Sequence, residues 1–352
     1  MKIKIYTYYF TNNYGALLQS LCLKTFIEDN LGHKVTFDNY QPKKLMYSEI
    51  YRPLISKNLK KLFGMLKRNI KISKWKKKLK LENPSNKKNK INNENLVSIY
   101  GSDEIWNYNN AYYGYDEYYF GKGNVSKKIS YAASFGRSKF EALNEKQKKE
   151  IKKNLIDFKS ISVRDSNSAI IVKELTDIEP TVVVDPTLLC TPSILNDESK
   201  SIFSKNIDYA VVYGTVFSED KKKDIHDYCS KNNYKLVSVG YYNNWIKYNH
   251  LGLDPTEFYL LMKNCKIVFT SMFHGIMFSV KLKKNFWYSE DPIRENKVRH
   301  FINKLGLINR QITNTHDFSK VIDYSKIYEK LDKWITESKN FLIENINRFK
   351  ND

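Results

Sequence analysis

Short runs of β-branched and aromatic residues alternate with segments of helical periodicity along most of this 352-residue chain. Such alternation is typical of βαβ units and predicts parallel sheets covered by helices. The predicted strands cover residues 3–8, 34–38, 96–100, 128–132, 160–163, 181–184, 209–213, 235–239, 266–270 and 285–288. We therefore predict an α/β protein with two Rossmann-like domains that face each other across a cleft.

A break in composition after the strand at 181–184 divides the chain into two domains. Asp185 and Pro186 turn the chain, and the segment that follows is polar and irregular. We place the first domain at residues 1–195, with a basic helical insertion at about 54–92. The second domain is placed at residues 205–320, and a C-terminal helix at 325–352 is expected to pack back across the molecule. Ligands of such sheets bind outside the carboxyl ends of the strands, so the cleft should hold the site.

The cysteine count and the hydropathy pattern restrict the cellular compartment in which the protein is expected. Four cysteines lie far apart without a Cys/His cluster, which argues against a disulfide framework and against a metal site. No uncharged apolar run reaches the roughly 18 residues of a transmembrane helix. The first ten residues are typical of a β-strand rather than a signal peptide. We expect a cytoplasmic protein.

Positive charge is concentrated in one stretch of a chain whose formal net charge is +21. Residues 56–92 contain fourteen Lys or Arg and one acid, Glu82, with apolar residues at roughly helical spacing. This stretch is either a solvated helical insertion or a basic face. A basic face would rest on anionic lipid headgroups at the inner face of the membrane, or hold an anionic substrate. Charge without an RNA-binding signature predicts no specific nucleic-acid partner.

The segment Thr270-Ser271-Met272-Phe273-His274-Gly275 joins a buried strand to an apolar helix. This order places His274 and the amides of Gly275 and Ile276 at a helix N-terminus, where backbone N–H groups favour an anion. A histidine there can donate to a phosphate or move a proton near neutral pH. The alternative is a histidine that packs at a strand–helix corner.

Two further segments place polar groups next to predicted strand ends. Asn13-Tyr14-Gly15 precedes the first helix, where glycine permits close approach of a ligand, although it also fits an ordinary βα turn. In Gly101-Ser102-Asp103, the carboxylate could orient or deprotonate an acceptor hydroxyl, or simply cap a turn. Trp106 could stack on a sugar ring or fill the core.

Arg164 ends the strand at 160–163 and can clamp a phosphate or carboxylate through two parallel hydrogen bonds. Its alternative is an ion pair with Asp165 or Glu174. We predict that Ser134 lies in a loop that lines the cleft and contacts a phosphate. Asp185 is expected to fix the turn in which it lies.

Taken in order, these segments resemble the polysaccharide pyruvyl transferase family, whose second domain is GT-B-like and carries a T-x-x-x-H-G turn. The matching pieces extend from about residue 5 to residue 310. They are Asn13-Tyr14-Gly15, Gly101-Ser102-Asp103-Glu104-Ile105-Trp106-Asn107, Tyr131-Ala132-Ala133-Ser134-Phe135-Gly136, Ser162-Val163-Arg164-Asp165, Val184-Asp185-Pro186-Thr187 and Thr270 to Gly275.

The resemblance implies transfer of a pyruvyl group from phosphoenolpyruvate to a sugar of a cell-surface polysaccharide, giving a pyruvate ketal. Phosphoenolpyruvate would be a co-substrate and no cofactor is expected. The catalytic residues would be His274 and Asp103. Donor contacts would come from Arg164, Gly275, Ser271, Asn13, Gly15 and Ser134, and acceptor contacts from Ser102 and Trp106. The acceptor, whether lipid-linked, polymeric or nucleotide-activated, stays open.

One departure from the family pattern weakens the identity of the donor. Several members carry an arginine two residues before the histidine, where this chain has Met272, and a thioether cannot neutralise a carboxylate. Arg294, Lys297 or Arg299 would have to take that role, or the donor differs.

Two alternative functions stay open. A GT-B glycosyltransferase that uses a nucleotide sugar would share the architecture, although only Glu290 is a candidate for the ribose contact. A non-catalytic RNA- or membrane-surface-binding protein would depend on the basic stretch and not on His274.

Overall fold

The computed structural model of the chain describes residues 1–51, 55–79, 81, 96–110, 114–204, 206–291 and 295–351. Within these residues strands and helices alternate and build two five-stranded parallel sheets, which confirms the predicted α/β class. The sheets fall on either side of the proposed junction, and the domain bounds of 1–195 and 205–320 stay a prediction.

The first sheet has the strand order β2-β1-β3-β4-β5. Its strands are β1 (Lys2–Tyr6), β2 (Lys34–Phe37), β3 (Leu96–Tyr100), β4 (Lys127–Ser130) and β5 (Phe158–Ser160). Its helices are α1 (Tyr14–Leu31), α2 (Lys43–Met46), α3 (Leu59–Lys78), α4 (Glu145–Ile156) and α5 (Ser166–Thr176). A short pair, β6 (Ser162–Val163) and β7 (Thr181–Val182), continues the sheet through parallel bridges from Asp103 to Ala133 and from Ala133 to Val163.

The second sheet has the order β10-β9-β8-β11-β12, which is the 3-2-1-4-5 order of a Rossmann fold. Its strands are β8 (Tyr209–Tyr213), β9 (Lys235–Val239), β10 (Tyr248–His250), β11 (Ile267–Thr270) and β12 (Asn285–Tyr288). The helices are α6 (Glu219–Lys231), α7 (Pro255–Asn264), α8 (Phe273–Lys281), α9 (Glu295–Leu305) and α10 (Tyr324–Asn351).

Strand order reverses between β1 and β3 in the first sheet and between β8 and β11 in the second. Connections leave in opposite directions at such a switch point and open a crevice at the carboxyl ends of the strands. The two halves pack against each other next to these crevices. The ring of Tyr14 in α1 stacks on Phe258 in α7 with centroids 4.6 Å apart.

The basic helix α3 crosses from the first half to the second, which confirms the predicted helical insertion. Nζ of Lys76 donates to the carbonyl of Phe10 at 2.5 Å. On the other side, Nε1 of Trp75 donates to Oγ1 of Thr256 at 3.0 Å, and Arg68 donates to the carbonyl of Gly240 at 3.3 Å. Residues 54, 80 and 82–92 of the predicted insertion lie outside the described residues.

Helix α10 follows the second half but packs on the first, as predicted. Nε1 of Trp334 donates to the carbonyl of Val182 at 2.9 Å, and the amide of Val184 donates to Oγ of Ser338 at 3.0 Å. One cluster of buried apolar residues runs through both halves. In the described part of the chain, no helix combines the length and the apolar character needed to cross a bilayer.

Candidate active site

Four charged or titratable side chains form a linked cluster where the loops after β3, β6, β7 and β11 converge. Nη1 of Arg164 donates to Oδ2 of Asp185 at 3.0 Å. Nη2 of the same guanidinium lies 3.8 Å from Oδ1 of Asp103. Nε2 of His274, from the second half, lies 3.6 Å from Oδ2 of Asp185. The cluster therefore runs from Asp103 through Arg164 and Asp185 to His274, and connects the two halves.

Exposure differs between the ends and the middle of this cluster. The side chains of Asp103 and His274 keep 16% and 11% of their accessible surface. Those of Arg164 and Asp185 keep 2% and 0%. A ligand in the cleft can thus meet the carboxylate at one end and the imidazole at the other, while the middle pair is shielded.

Asp185 is held ionised by its neighbours in spite of its burial. Burial alone would raise the pKa of Asp185, but His274, Arg164 and the amide of Thr187 together lower it below its usual range. For Arg164, burial acts to lower the pKa, and the carboxylates of Asp185 and Asp103 more than offset it. The pair is therefore a charged one, in which Oδ2 of Asp185 accepts from Arg164 and also faces His274.

Some polar nitrogens of the cluster have no hydrogen-bond partner within it. Among the described residues, Nε and Nη2 of Arg164 and Nε2 of His274 are buried without a hydrogen-bond partner. Buried polar groups are rarely left unpaired in proteins, and where they occur a catalytic role or an ordered water is a common explanation.

Arg164 nevertheless does not present its guanidinium to solvent as a donor clamp, and the alternative partners Asp165 and Glu174 are also wrong. Its plane lies under the ring of Phe273, 4.9 Å from Cζ to the centroid, and one edge is used by Asp185. Asp165 instead caps α5, accepting from the amide of Ser168 at 2.8 Å.

The turn before α8 is built as the sequence predicts, but its amides are not open. Gly275 and Ile276 both donate to the carbonyl of Met272, at 2.9 and 3.3 Å, so the predicted anion contact at Gly275 is corrected. Ser271 is buried, and its Oγ accepts from the amide of Val216 at 3.3 Å. Of this segment, His274 is the group that reaches the cluster.

The first turn of α1 reaches the same place from the other half. Asn13 caps the helix, and its Oδ1 accepts from the amides of Gly15 and Ala16 at 2.9 and 3.3 Å. Gly15 lies directly against the imidazole of His274. The hydroxyl of Tyr14 donates to the carbonyls of Leu251 and Leu253 at 3.3 and 3.1 Å, which joins the halves beside the cluster.

Three predicted ligand contacts are fully buried and are corrected. Ser102 donates to Oε1 of Gln19, and Ser134 donates to Oδ2 of Asp165 at 2.6 Å. Trp106 donates from Nε1 to the carbonyl of Tyr119 at 2.9 Å and packs among aromatic rings. Trp106 therefore fills the core, as the second of its two interpretations predicts, and does not stack on a sugar ring.

Asp185 has more contacts than the sequence predicts. It fixes its turn as predicted, with Oδ1 accepting from the amide and hydroxyl of Thr187 at 3.0 and 2.8 Å. Its second oxygen faces Arg164 and His274. A carboxylate followed by proline directly after a predicted strand was the available signal. Of the residues proposed to replace the missing arginine at Met272, Arg294 and the side chain of Lys297 lie outside the described residues, and Arg299 faces Glu290 at 3.9 Å.

Two parallel sheets that face a shared cleft, with a polar cluster at their switch points, define a two-domain α/β protein of the GT-B type. A family model described as polysaccharide pyruvyl transferase matches residues 13–288. The chain belongs to the polysaccharide pyruvyl transferase family.

One solved structure with a TM-score above 0.5 agrees with the fold. A UDP-GlcNAc 2-epimerase from Neisseria meningitidis bound to UDP-GlcNAc is 9% identical, with a TM-score of 0.51 over 99% of this chain and 100% of that one. The E. coli heptosyltransferase WaaC with ADP is 10% identical, with a TM-score of 0.40 over 95% and 99%. At these identities the likeness concerns the fold alone. A comparison with curated proteins gives no significant match.

Proposed function

We propose that this protein transfers the pyruvyl group of phosphoenolpyruvate to two hydroxyls of one sugar in a polysaccharide or its precursor, forming a pyruvate ketal. Family membership supports pyruvyl transfer in general. The observation that carries the finer proposal is the pairing of a partly open carboxylate and a partly open imidazole at the two ends of one cluster. Such a pair supplies the base and the acid that ketal formation requires.

With these two groups, the bonds and protons of the proposed reaction balance. A proton adds to the methylene carbon of the donor, which becomes the methyl group of the ketal. Two sugar oxygens form bonds to the central carbon, and the bond from that carbon to the phosphate oxygen breaks. Each sugar hydroxyl loses a proton. One of these protons replaces the one added to the methylene, and the other leaves with hydrogen phosphate.

The cluster suggests how the roles divide. His274 would deliver the proton to the donor, while Asp103 would receive a proton from the sugar hydroxyl. Asp185 faces Nε2 of His274 at 3.6 Å and would help to orient the imidazole. Arg164 holds Asp185 in place and is a positioning residue. Its charge and that of the lysine-rich helix would also attract a trianionic donor.

Calorimetry with phosphoenolpyruvate and with UDP-GlcNAc tests the donor, and mass analysis of surface glycans tests the product. We expect saturable binding of phosphoenolpyruvate. Cells that carry His274→Ala or Asp103→Asn should lack a pyruvate unit present in the wild type. His226→Ala is the matched control, because this side chain is 64% exposed on α6. Saturable binding of the nucleotide sugar without phosphoenolpyruvate binding would replace the proposal by glycosyl transfer.

A cytoplasmic location with peripheral contact to an anionic membrane is a further part of the proposal. Leu59, Phe63, Leu66 and Ile70 follow one another at helical spacing on α3 and are 65%, 65%, 39% and 57% exposed. Lysines flank this apolar stripe. Such a helix is suited to lie at a lipid surface, with its apolar face among acyl chains and its lysines at anionic headgroups.

Sedimentation with vesicles tests the contact. The wild type should bind vesicles that contain phosphatidylglycerol and bind those of phosphatidylcholine alone much less. Leu66→Ser with Ile70→Ser should weaken binding, whereas Ile156→Ser, an exposed residue of α4, should not. Equal binding by all variants would show that α3 does not contact the bilayer through this stripe.

A further inference from the structure

A cavity of about 850 Å³ lies between α3 and the segment that runs from the end of β9 to the start of α7. Helix α3 supplies one wall through Lys60, Phe63, Lys67 and Lys71. The opposite wall comes from the second half and includes Tyr242, Ile246, Lys247 and His250. The cavity is separate from the Asp103–His274 cluster and is large enough for a substantial part of a small-molecule ligand.

The lining of this cavity is strongly positive. Four lysines face it, against one carboxylate, Glu257. That carboxylate is already used, because it forms an ion pair with Lys71 and accepts from the amide of Asp254 at 2.8 Å. In the described part of the chain, Lys60, Lys67 and Lys247 form no ion pair. Burial lowers the pKa of His250, and the charges of Lys235 and Lys67 lower it further, as a positive field would.

The walls are held together by close backbone contact. A side-chain carbon on Gly64 would lie 2.6 Å from Cβ of Leu251, so glycine is needed for α3 to pack this tightly. Arg68, one turn further, donates to the carbonyl of Gly240. The cavity is thus a built feature of the joint between the halves, and exposed lysines supply its positive charge.

Tyr14 connects the cavity to the candidate active site. Its hydroxyl donates to the carbonyls of Leu251 and Leu253, two residues that line the cavity. The next residue, Gly15, touches His274. Tyr14 and Gly15 therefore form a single layer of residues between the cavity and His274.

We infer that this cavity binds the phosphate or diphosphate through which the acceptor sugar is attached to its carrier. The inference rests on the proposed function, since it assumes a sugar acceptor. The ammonium groups of Lys60, Lys67 and Lys247, which form no ion pair with a described residue, suit a phosphate, because they can approach it as point charges from several directions. The apolar surfaces of Phe63 and Ile246 suit the part of the carrier next to the phosphates.

Calorimetry with inorganic diphosphate at low ionic strength tests the site. The wild type should bind saturably, and Lys67→Gln with Lys247→Gln should weaken binding by about tenfold for each lysine removed. The matched control is Lys74→Gln with Lys77→Gln, which removes the same charge from exposed positions of α3 outside the cavity. An equal loss in the control, or no saturable binding, would overturn the inference.

Two further ligands distinguish a lipid carrier from a nucleotide carrier. Tighter binding of farnesyl diphosphate than of inorganic diphosphate, reversed by Phe63→Ser, would identify a lipid carrier. Tighter binding of UDP, unaffected by that change, would identify a nucleotide. Either result supports the site.

Phosphoenolpyruvate binding by the same variants separates this inference from the proposed function. The cavity variants should bind phosphoenolpyruvate as the wild type does. If they lose it together with diphosphate, the cavity is the donor site and the inference fails while the proposed function stands. If the wild type binds diphosphate but never phosphoenolpyruvate, the proposed function fails and the anion site remains.

Discussion

Gly15 and His274 touch across the boundary between the two halves: a side-chain carbon on Gly15 would lie 2.1 Å from Nδ1 of the imidazole. Gly15→Ala must therefore displace the ring. We expect a loss of roughly 1–3 kcal/mol in the free energy of unfolding from overpacking, and a fall of about 100-fold in activity from misplacement of His274. Urea denaturation measures the first, and product formation measures the second.

The His274→Ala background provides the control. His274→Ala removes the three atoms that lie nearest to a side chain at position 15, and the better helix propensity of alanine should then leave stability unchanged or raise it by up to about 1 kcal/mol. A loss of stability in both backgrounds would mean that the contact with His274 is not what excludes a side chain at this position.

Asp185→Asn should destabilise the protein strongly. The amide keeps an oxygen for the turn at Thr187 but removes the counter-charge that is hydrogen-bonded to the buried guanidinium of Arg164, leaving it only Asp103 at 3.8 Å. Breaking a buried ion pair in this way costs roughly 3–5 kcal/mol in the free energy of unfolding. Asp177→Asn is the control, because that carboxylate is 92% exposed and faces Lys152 at 3.8 Å, so it should change little. Equal effects of the two changes would contradict the assignment.

The stability difference between the wild type and Asp185→Asn should depend on pH. The pKa of Asp185 is lowered in the folded protein, so its contribution is complete above the unfolded value of about 3.9 and is lost as the pH falls towards the folded pKa. Denaturation curves of both proteins should therefore converge in acid and be furthest apart near neutral pH. A constant difference from pH 7 to pH 3 would argue against an ionised Asp185.

Trp75→Phe should loosen α3 from the second half. The change removes the hydrogen bond from Nε1 to Oγ1 of Thr256 and keeps most of the buried ring. We expect a loss of about 1 kcal/mol in the free energy of unfolding. Thr256→Val removes the other partner, and the double variant should then cost about 1 kcal/mol less than the sum of the single changes. Simple additivity would show that the bond contributes nothing.

The sheet skeleton was predictable because strand periodicity is a local property. The strands at 96–100, 209–213, 235–239 and 285–288 agree with the structure to the residue. Helix α4 was not predicted, since only Ile151 and Leu155 of its twelve residues are buried and the apolar stripe is correspondingly thin. Strand β10 has only three residues, Tyr-Asn-His, and carries no strand pattern of its own.

The location of the candidate site followed from strand ends, whereas its contacts did not. His274, Asp103 and Arg164 each follow a predicted strand, and parallel sheets bring such positions to one edge. Which carboxylate meets Arg164 depends on the path of the loop at Asp185, which is decided by packing between segments far apart in sequence. Burial of Ser102 and Ser134 is likewise a property of loops folded on each other, and a polar loop residue gives no sequence signal for it.

The return of α10 to the first half has a consequence for synthesis. Residues around Val182 and Val184 find their partners Trp334 and Ser338 only after the whole second sheet has been translated. At ribosomal rates that interval is on the order of ten seconds. During this interval the first sheet is on the ribosome without its contacts to α10, so nascent chains should be most vulnerable to proteases and most dependent on chaperones until α10 emerges.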